Sequence, residues 1–193
     1  MEGTPVDMLW AAGRDGGPSP LGLFRTTVVR NRIDLARGDG EPVASLQGRW
    51  LRTVAIAFAS DEKWIAASGY AGGAMIWDTA TGGLVAAFPE LEADGAENGR
   101  LPLLFARGDS LLICGGRTLT IIDTSHWTVA RTLDLPSALL HANGDVLRLD
   151  AYEADGSGSL TRWTVNLRSH GVEAADRLRQ TRVYRMLFDR KAS

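Results

Sequence analysis

The sequence predicts an all-β protein assembled from repeated four-stranded antiparallel sheets. Three observations predict it. Short apolar runs recur along the 193 residues, bounded by turn formers such as Gly, Asp, Asn and Pro. No segment carries a 3.6-residue apolar period long enough for a good helix. An Asp-centred motif returns at near-constant spacing.

The clearest unit runs from Thr53 to Glu90 and reads TVAIAFAS, DEK, WIAASGY, AGG, AMIWDTA, TGG, LVAAFPE. In Thr53–Ser60, Val54, Ile56 and Phe58 alternate with Ala55, Ala57 and Ala59. Both faces are apolar, as in a strand covered on both sides. A large face and a small face suit close packing between neighbouring sheets. Asp61 and Glu62 turn the chain into Trp64–Tyr70. Ala71-Gly72-Gly73 turns it into Ala74–Ala80, and Thr81-Gly82-Gly83 turns it into Leu84–Phe88, which Pro89 follows. Glycine permits the positive φ that such turns need.

Asp78 is the marker for the repeat. Thr120-Ile121-Ile122-Asp123-Thr124 matches Met75–Thr79 and lies 45 positions on. Leu160-Thr161-Arg162-Trp163-Thr164 follows after another 41, and Asn31-Arg32-Ile33-Asp34-Leu35 precedes Asp78 by 44. The Trp77-Asp78 pair, the strand and turn order, and these spacings resemble the WD40 repeat, whose period is about 40–45 residues. The resemblance implies a β-propeller of four-stranded antiparallel blades, partial or completed by oligomerisation. The match is divergent: there is no Gly-His pair before an inner strand and no Asp in the turn at Ala71-Gly72-Gly73. A related quinoprotein-like or lactonase-like propeller is the alternative.

The whole chain reads as one such domain, with units at about 6–48, 49–91, 99–136 and 137–178 and an extra inner strand at 182–190. The first unit combines Val6–Ala12, a Gly/Pro loop at Gly13–Pro20, one long strand at Leu21–Leu35 bulged near Arg30-Asn31, and Pro42–Leu46; its innermost strand is missing. A polar surface loop follows at Leu91–Arg100. The third unit has strands at Leu101–Ala106, Leu111–Gly115, Thr118–Asp123 and Thr128–Leu135. The fourth has Ala138–His141, an Asn143-Gly144 hairpin signal, Val146–Tyr152, Leu160–Val165 and an outer strand from Gly171 to Ala175 or slightly later. The tail Arg182–Arg190 resembles Val54–Asp61. Three arrangements fit that spare strand: a four-bladed ring closed within the chain, an eight-bladed ring of two chains, or part of a larger ring. An open arc is expected to expose two apolar blade faces.

Composition narrows the function. The formal charge of −2 gives no field for nucleic acid or an anionic membrane. Met1–Pro5 has no basic region or apolar core of a signal peptide, and no apolar run reaches transmembrane length; a cytoplasmic location is expected. The single Cys114 reads as a buried thiol. His126, His141 and His170 lack metal-ligand spacing. Asp150, Glu153 and Asp155 lie in a Gly/Ser-rich stretch whose ligand order is wrong for a calcium loop. No nucleophile elbow or phosphate loop is found, so no catalytic, cofactor or metal residue is assigned.

Binding energy concentrates in exposed aromatics and arginines. The interaction candidates are Arg14, Arg49, Trp50, Tyr70, Arg100, Arg117 and Trp127. Trp50 and Trp127 have a second reading as side chains packed between blades. The expected role is a non-enzymatic protein-interaction scaffold or sensor module working through rim loops, with protein partners and a homodimer that completes the ring. The rival is a propeller enzyme or small-ligand binder that uses the central channel.

Overall fold

A computed structural model describes residues 16–48, 53–70, 72–92, 102–116, 118–135, 139–152 and 160–178. The first sheet holds β1 (Gly16–Pro18), β2 (Phe24–Val29), β3 (Arg32–Arg37) and β4 (Pro42–Gln47). The second holds β5 (Thr53–Phe58), β6 (Trp64–Gly69), β7 (Gly72–Asp78) and β8 (Leu84–Glu92). The third holds β9 (Leu103–Ala106), β10 (Leu111–Cys114), β11 (Leu119–Asp123) and β12 (Thr128–Leu133). The fourth holds β13 (Leu139–Asn143), β14 (Val146–Tyr152), β15 (Leu160–Asn166) and β16 (Gly171–Leu178). Each is an antiparallel meander with its strands in chain order. The fold is all-β and propeller-like.

Alternation along the strands builds the stack. Ile56 and Phe58 of β5 face the first blade, joining Ile33, Leu35 and Leu46. Ala57 and Ala59 face the other way, and the larger Leu103, Phe105 and Leu112 of the third blade pack against that small surface. Ile113 and Ile121 then face Leu147, Leu149 and Val165 of the fourth blade. Three apolar cores thus join four blades. Fully burying one such Leu or Ile contributes about 1.5–3 kcal/mol. The innermost strands β5 and β9, and β9 and β13, lie side by side.

The far faces of the end blades are different. Strand pairing puts Arg25, Thr27, Asp34 and Ser45 on the outward face of the first blade, where Asp34 pairs with Arg32 at 2.9 Å and accepts from Ser45 Oγ at 2.9 Å. A depression of about 800 Å³ crosses this face, where Pro18, Ala36, Pro42 and Val43 lie beside the polar side chains. Arg148 and Thr164, paired in register, occupy the corresponding face of the fourth blade. Among the described residues these two outward faces carry charged and hydroxyl side chains beside apolar ones.

Three further expectations change. The first unit has its innermost strand: β1 forms from the Gly/Pro stretch read as a loop. The long strand Leu21–Leu35 is a hairpin, β2 and β3, broken where Arg30 takes φ 57°. Strand β8 continues through Pro89 to Glu92, because proline is tolerated on an edge strand that need not donate outward. Val6–Ala12 and Arg182–Arg190 lie outside the described residues.

The structure also re-phases the repeat. The third strands end at Arg37, Asp78, Asp123 and Asn166, which are 41, 45 and 43 positions apart. Asp34 and Thr164, taken as markers, lie inside β3 and β15. All four third-to-fourth strand pairs carry a register shift, at Leu35/Ala36, Ile76/Trp77, Ile121/Ile122 and Thr164/Val165. Such a bulge bends the outer strand and increases its twist.

Gly82, in the turn after β7, tests blade contact directly. Its φ is +68°, and a Cβ there would meet the Ala44 Cβ of the first blade at 2.2 Å. Gly108 has φ +58° and open space around it. Gly82→Ala should therefore destabilise more than Gly108→Ala, which carries only backbone strain of about 1–2 kcal/mol. Urea midpoints at unchanged slope would read this difference; equal midpoints would remove the steric contact from the account.

Candidate functional site

The meanders sort their connections into two rims. Turns between first and second strands, and between third and fourth, open on one rim. Turns between second and third strands open on the other, together with the links from blade to blade.

The first rim is a hydrogen-bonded ladder. Within each blade, the residue after the third strand or its turn donates N–H to the first turn: Gly38 to Leu23 O at 2.8 Å, Thr79 to Lys63 O at 3.0 Å, Thr124 to Ser110 O at 3.1 Å and Leu167 to Asp145 O at 2.7 Å. Two threonines repeat the tie with Oγ1, from Thr79 to Glu62 O at 2.5 Å and from Thr124 to Asp109 O at 2.6 Å. The preceding residue caps its own turn. Asp78 Oδ1 accepts from Thr81 N and Oγ1, both at 2.9 Å. Asp123 accepts from Ser125 N at 2.8 Å and from its hydroxyl, and Asn166 Oδ1 accepts from Arg168 N at 2.8 Å. The bonds from Ser125 hold the exposed Asp123 carboxyl below its ordinary range, the side-chain bond contributing most. The repeated Asp-Thr of the motif thus has a structural task in each residue.

Between blades the ladder runs in one direction. A carboxylate in the first turn of the second, third and fourth blades reaches back to the first turn of the blade before it. Glu62, only 1% exposed, accepts from Ser19 Oγ at 2.6 Å and from the Leu21 N–H. Asp109 accepts from Ser60 N at 2.7 Å and Ser60 Oγ at 2.5 Å. Asp145 accepts from Arg107 Nε at 2.8 Å and from Arg168 Nε, in its own blade, at 2.5 Å. Glu62 and Asp109 take φ of 56° and 64° to do so. The sequence offered Glu62 only as a turn former and gave no reason to select Asp109 or Asp145. The available signal was an acid in every first turn but the first blade's.

Of the interaction candidates, Arg14, Arg49, Trp50, Arg100 and Arg117 lie outside the described residues. Tyr70 follows β6, on the second rim, and is 46% exposed. Trp127 lies before β12, on the first rim, so the structure does not bring these two together. The Trp127 ring stands edge-on to Trp64 of the second blade, with centroids 5.1 Å apart and planes at 84°. Such a pair contributes about 0.5–1.5 kcal/mol beyond its burial. Lys63 Nζ sits 4.8 Å from the Trp64 ring centre. Both rings are half-buried against the core between the second and third blades.

Cys114 is fully buried in that same core, and burial pushes its thiol up. Among the described residues no group of His, Cys, Asp or Glu is placed to hold a metal ion, and no helix is long and apolar enough to cross a membrane.

No family model and no curated protein matches the chain. Among solved structures it is similar to Kuenenia stuttgartiensis hydrazine synthase, with a TM-score of 0.70 at 10% identity. The match covers 92% of this chain and 52% of that one, so this chain spans about half the neighbour's length. A likeness at that identity shows the fold alone.

Glu62→Ala leaves a buried hydroxyl and an amide N–H without their acceptor, at about 1–3 kcal/mol for each unpaired group. Glu62→Gln keeps one acceptor oxygen and should cost less. Denaturant melts would rank the variants, and faster exchange of the Leu21 amide would locate the effect; a wild-type melt for Glu62→Ala would exclude the clasp as a stabilising contact. Cys114 should resist an aromatic disulfide reagent in the folded chain and react at once in urea. Rapid reaction without denaturant would show that the core opens locally.

Proposed function

We propose that this chain is a non-enzymatic protein-interaction scaffold or sensor module, built on divergent WD40-like repeats and working in the cytoplasm. The observation that supports it most is Tyr70. A large aromatic ring stands exposed on a two-residue connection between β6 and β7, whose strands are otherwise buried. Exposed aromatics on rigid supports carry interface energy at small ordering cost. The first rim is occupied by its own hydrogen-bonded ladder, and Tyr70 stands exposed on the other rim. Arg49, Trp50, Arg100 and Arg117, other proposed contacts, lie outside the described residues. A second copy completing the ring is the less favoured arrangement, since both end faces carry polar side chains. The activity named for the structural neighbour is not carried over.

Tyr70→Ala should reduce capture of protein partners from soluble extract by the immobilised chain at least about tenfold, the equivalent of about 1.4 kcal/mol. Its melting temperature should stay within the small range usual for surface changes. Unchanged capture would remove this rim from the proposal.

A further inference from the structure

Among the described residues every blade ends in an outer strand that no further strand joins, and such edges are templates for pairing unless they are guarded. Three of the four carry proline or an acidic side chain as a guard, and the fourth, β12, carries only the single charge of Arg131. Strand β4 opens on Pro42. Strand β8 carries Pro89 and Glu90 and turns Phe88 and Leu91 into the core. Strand β16 carries Glu173, Asp176 and Arg177. Strand β12, Thr-Val-Ala-Arg-Thr-Leu, has no proline, no lysine and no acid, and its first five residues are exposed. Two of the six are β-branched threonines and one is valine, which favour extended pairing.

The side chains along this edge are ordered. Ile122 pairs with Val129 and Ile121 with Arg131, so the register shift makes Ala130 the extra residue. Ile122 and Ile121 face opposite cores. Val129 and Arg131 therefore stand on opposite faces of the edge. On the Val129 side lies the half-buried pair Trp64 and Trp127, with Val129 itself 46% exposed. Arg131 on the other side is exposed and makes no ion pair among the described residues.

We propose that β12 is a strand-addition site for an extended acidic peptide segment of another protein. Its backbone pairs with the free edge of β12. An apolar side chain lies against Val129 and Trp127 on one face, and an adjacent carboxylate, on the other face, meets Arg131. Main-chain hydrogen bonds supply affinity and the two side-chain contacts supply selection. The site rests on the scaffold reading given above and adds to it the class of partner and a second surface, the outer edge of the third blade.

The probe is a fluorescein-labelled peptide, Ser-Val-Glu-Val-Thr-Glu, titrated into the whole chain by anisotropy. Binding should protect the amides of Val129–Thr132 from hydrogen exchange. Arg131→Glu should weaken binding at least about tenfold, and a peptide with lysine in place of glutamate should recover it. Val129→Lys, a guard of the kind seen on natural edges, should abolish it. Both positions are exposed, and circular dichroism checks that the variants fold. Protection appearing elsewhere, or affinity indifferent to both variants, overturns the site. Protection of β12 that rises with protein concentration in the absence of peptide overturns the assigned partner in favour of a second copy. If Tyr70-dependent capture holds while the peptide fails, the strand-addition site falls and the scaffold reading stands. If the peptide binds β12 and Tyr70→Ala changes nothing, the Tyr70 rim falls instead.

Discussion

A four-stranded sheet with two apolar faces cannot stand alone, and that constraint shapes this molecule. Each inner blade exists by handing one face to the blade before and one to the blade after. The second blade does so with unequal faces. Ile56, Phe58, Ile65 and Trp77 face the first blade, while Ala57, Ala59, Ala66 and Ala74 face the third. The alanine surface lets Phe105 and Leu112 approach closely, so packing density is reached by pairing small with large. On the first and fourth blades the outward faces carry charged and hydroxyl groups among the described residues, so those faces depend less on a covering sheet.

Apolar contact is not directional, so the stack needs something that fixes how each blade sits on the next. The turn ladder supplies it. Glu62, Asp109 and Asp145 each reach back by one blade, from first turn to first turn. The three acids use different donors: a hydroxyl and an amide, a hydroxyl with its own amide, and a guanidinium. What repeats is the position of the carboxylate rather than the identity of its partner. The first blade's turn, Ser19 to Leu23, has no acid and supplies donors only. The ladder therefore has a direction, and the first rim is committed to holding the stack.

The outer edges show a third kind of control. Register shifts in all four outer pairs twist the edges, and proline or an acidic residue stands on three of them. The remaining edge lies beside a Trp pair that spans two blades.

Much of this was legible in the sequence, for identifiable reasons. Alternation of large and small residues in Thr53–Ser60 determined a doubly buried strand and which residues share a face. Runs such as Leu111–Gly115 and Thr118–Asp123 determined the third blade almost to the residue, because glycine and aspartate mark their ends. The spacing of Asp78 and Asp123 determined the repeat. Tertiary structure decided what depends on neighbours. Gly16–Pro18 becomes a strand only because β2 offers it an edge, and no local pattern signals that. Asp34 looks like Asp78 in sequence, yet it pairs with Arg32 on an end face while Asp78 caps a turn. Glu62 and Asp109 look like ordinary turn acids, and only the approach of the preceding blade turns them into clasps. Local composition determined the strands and their period; the contacts between blades, which bring together residues some 40 positions apart, decided what each turn does.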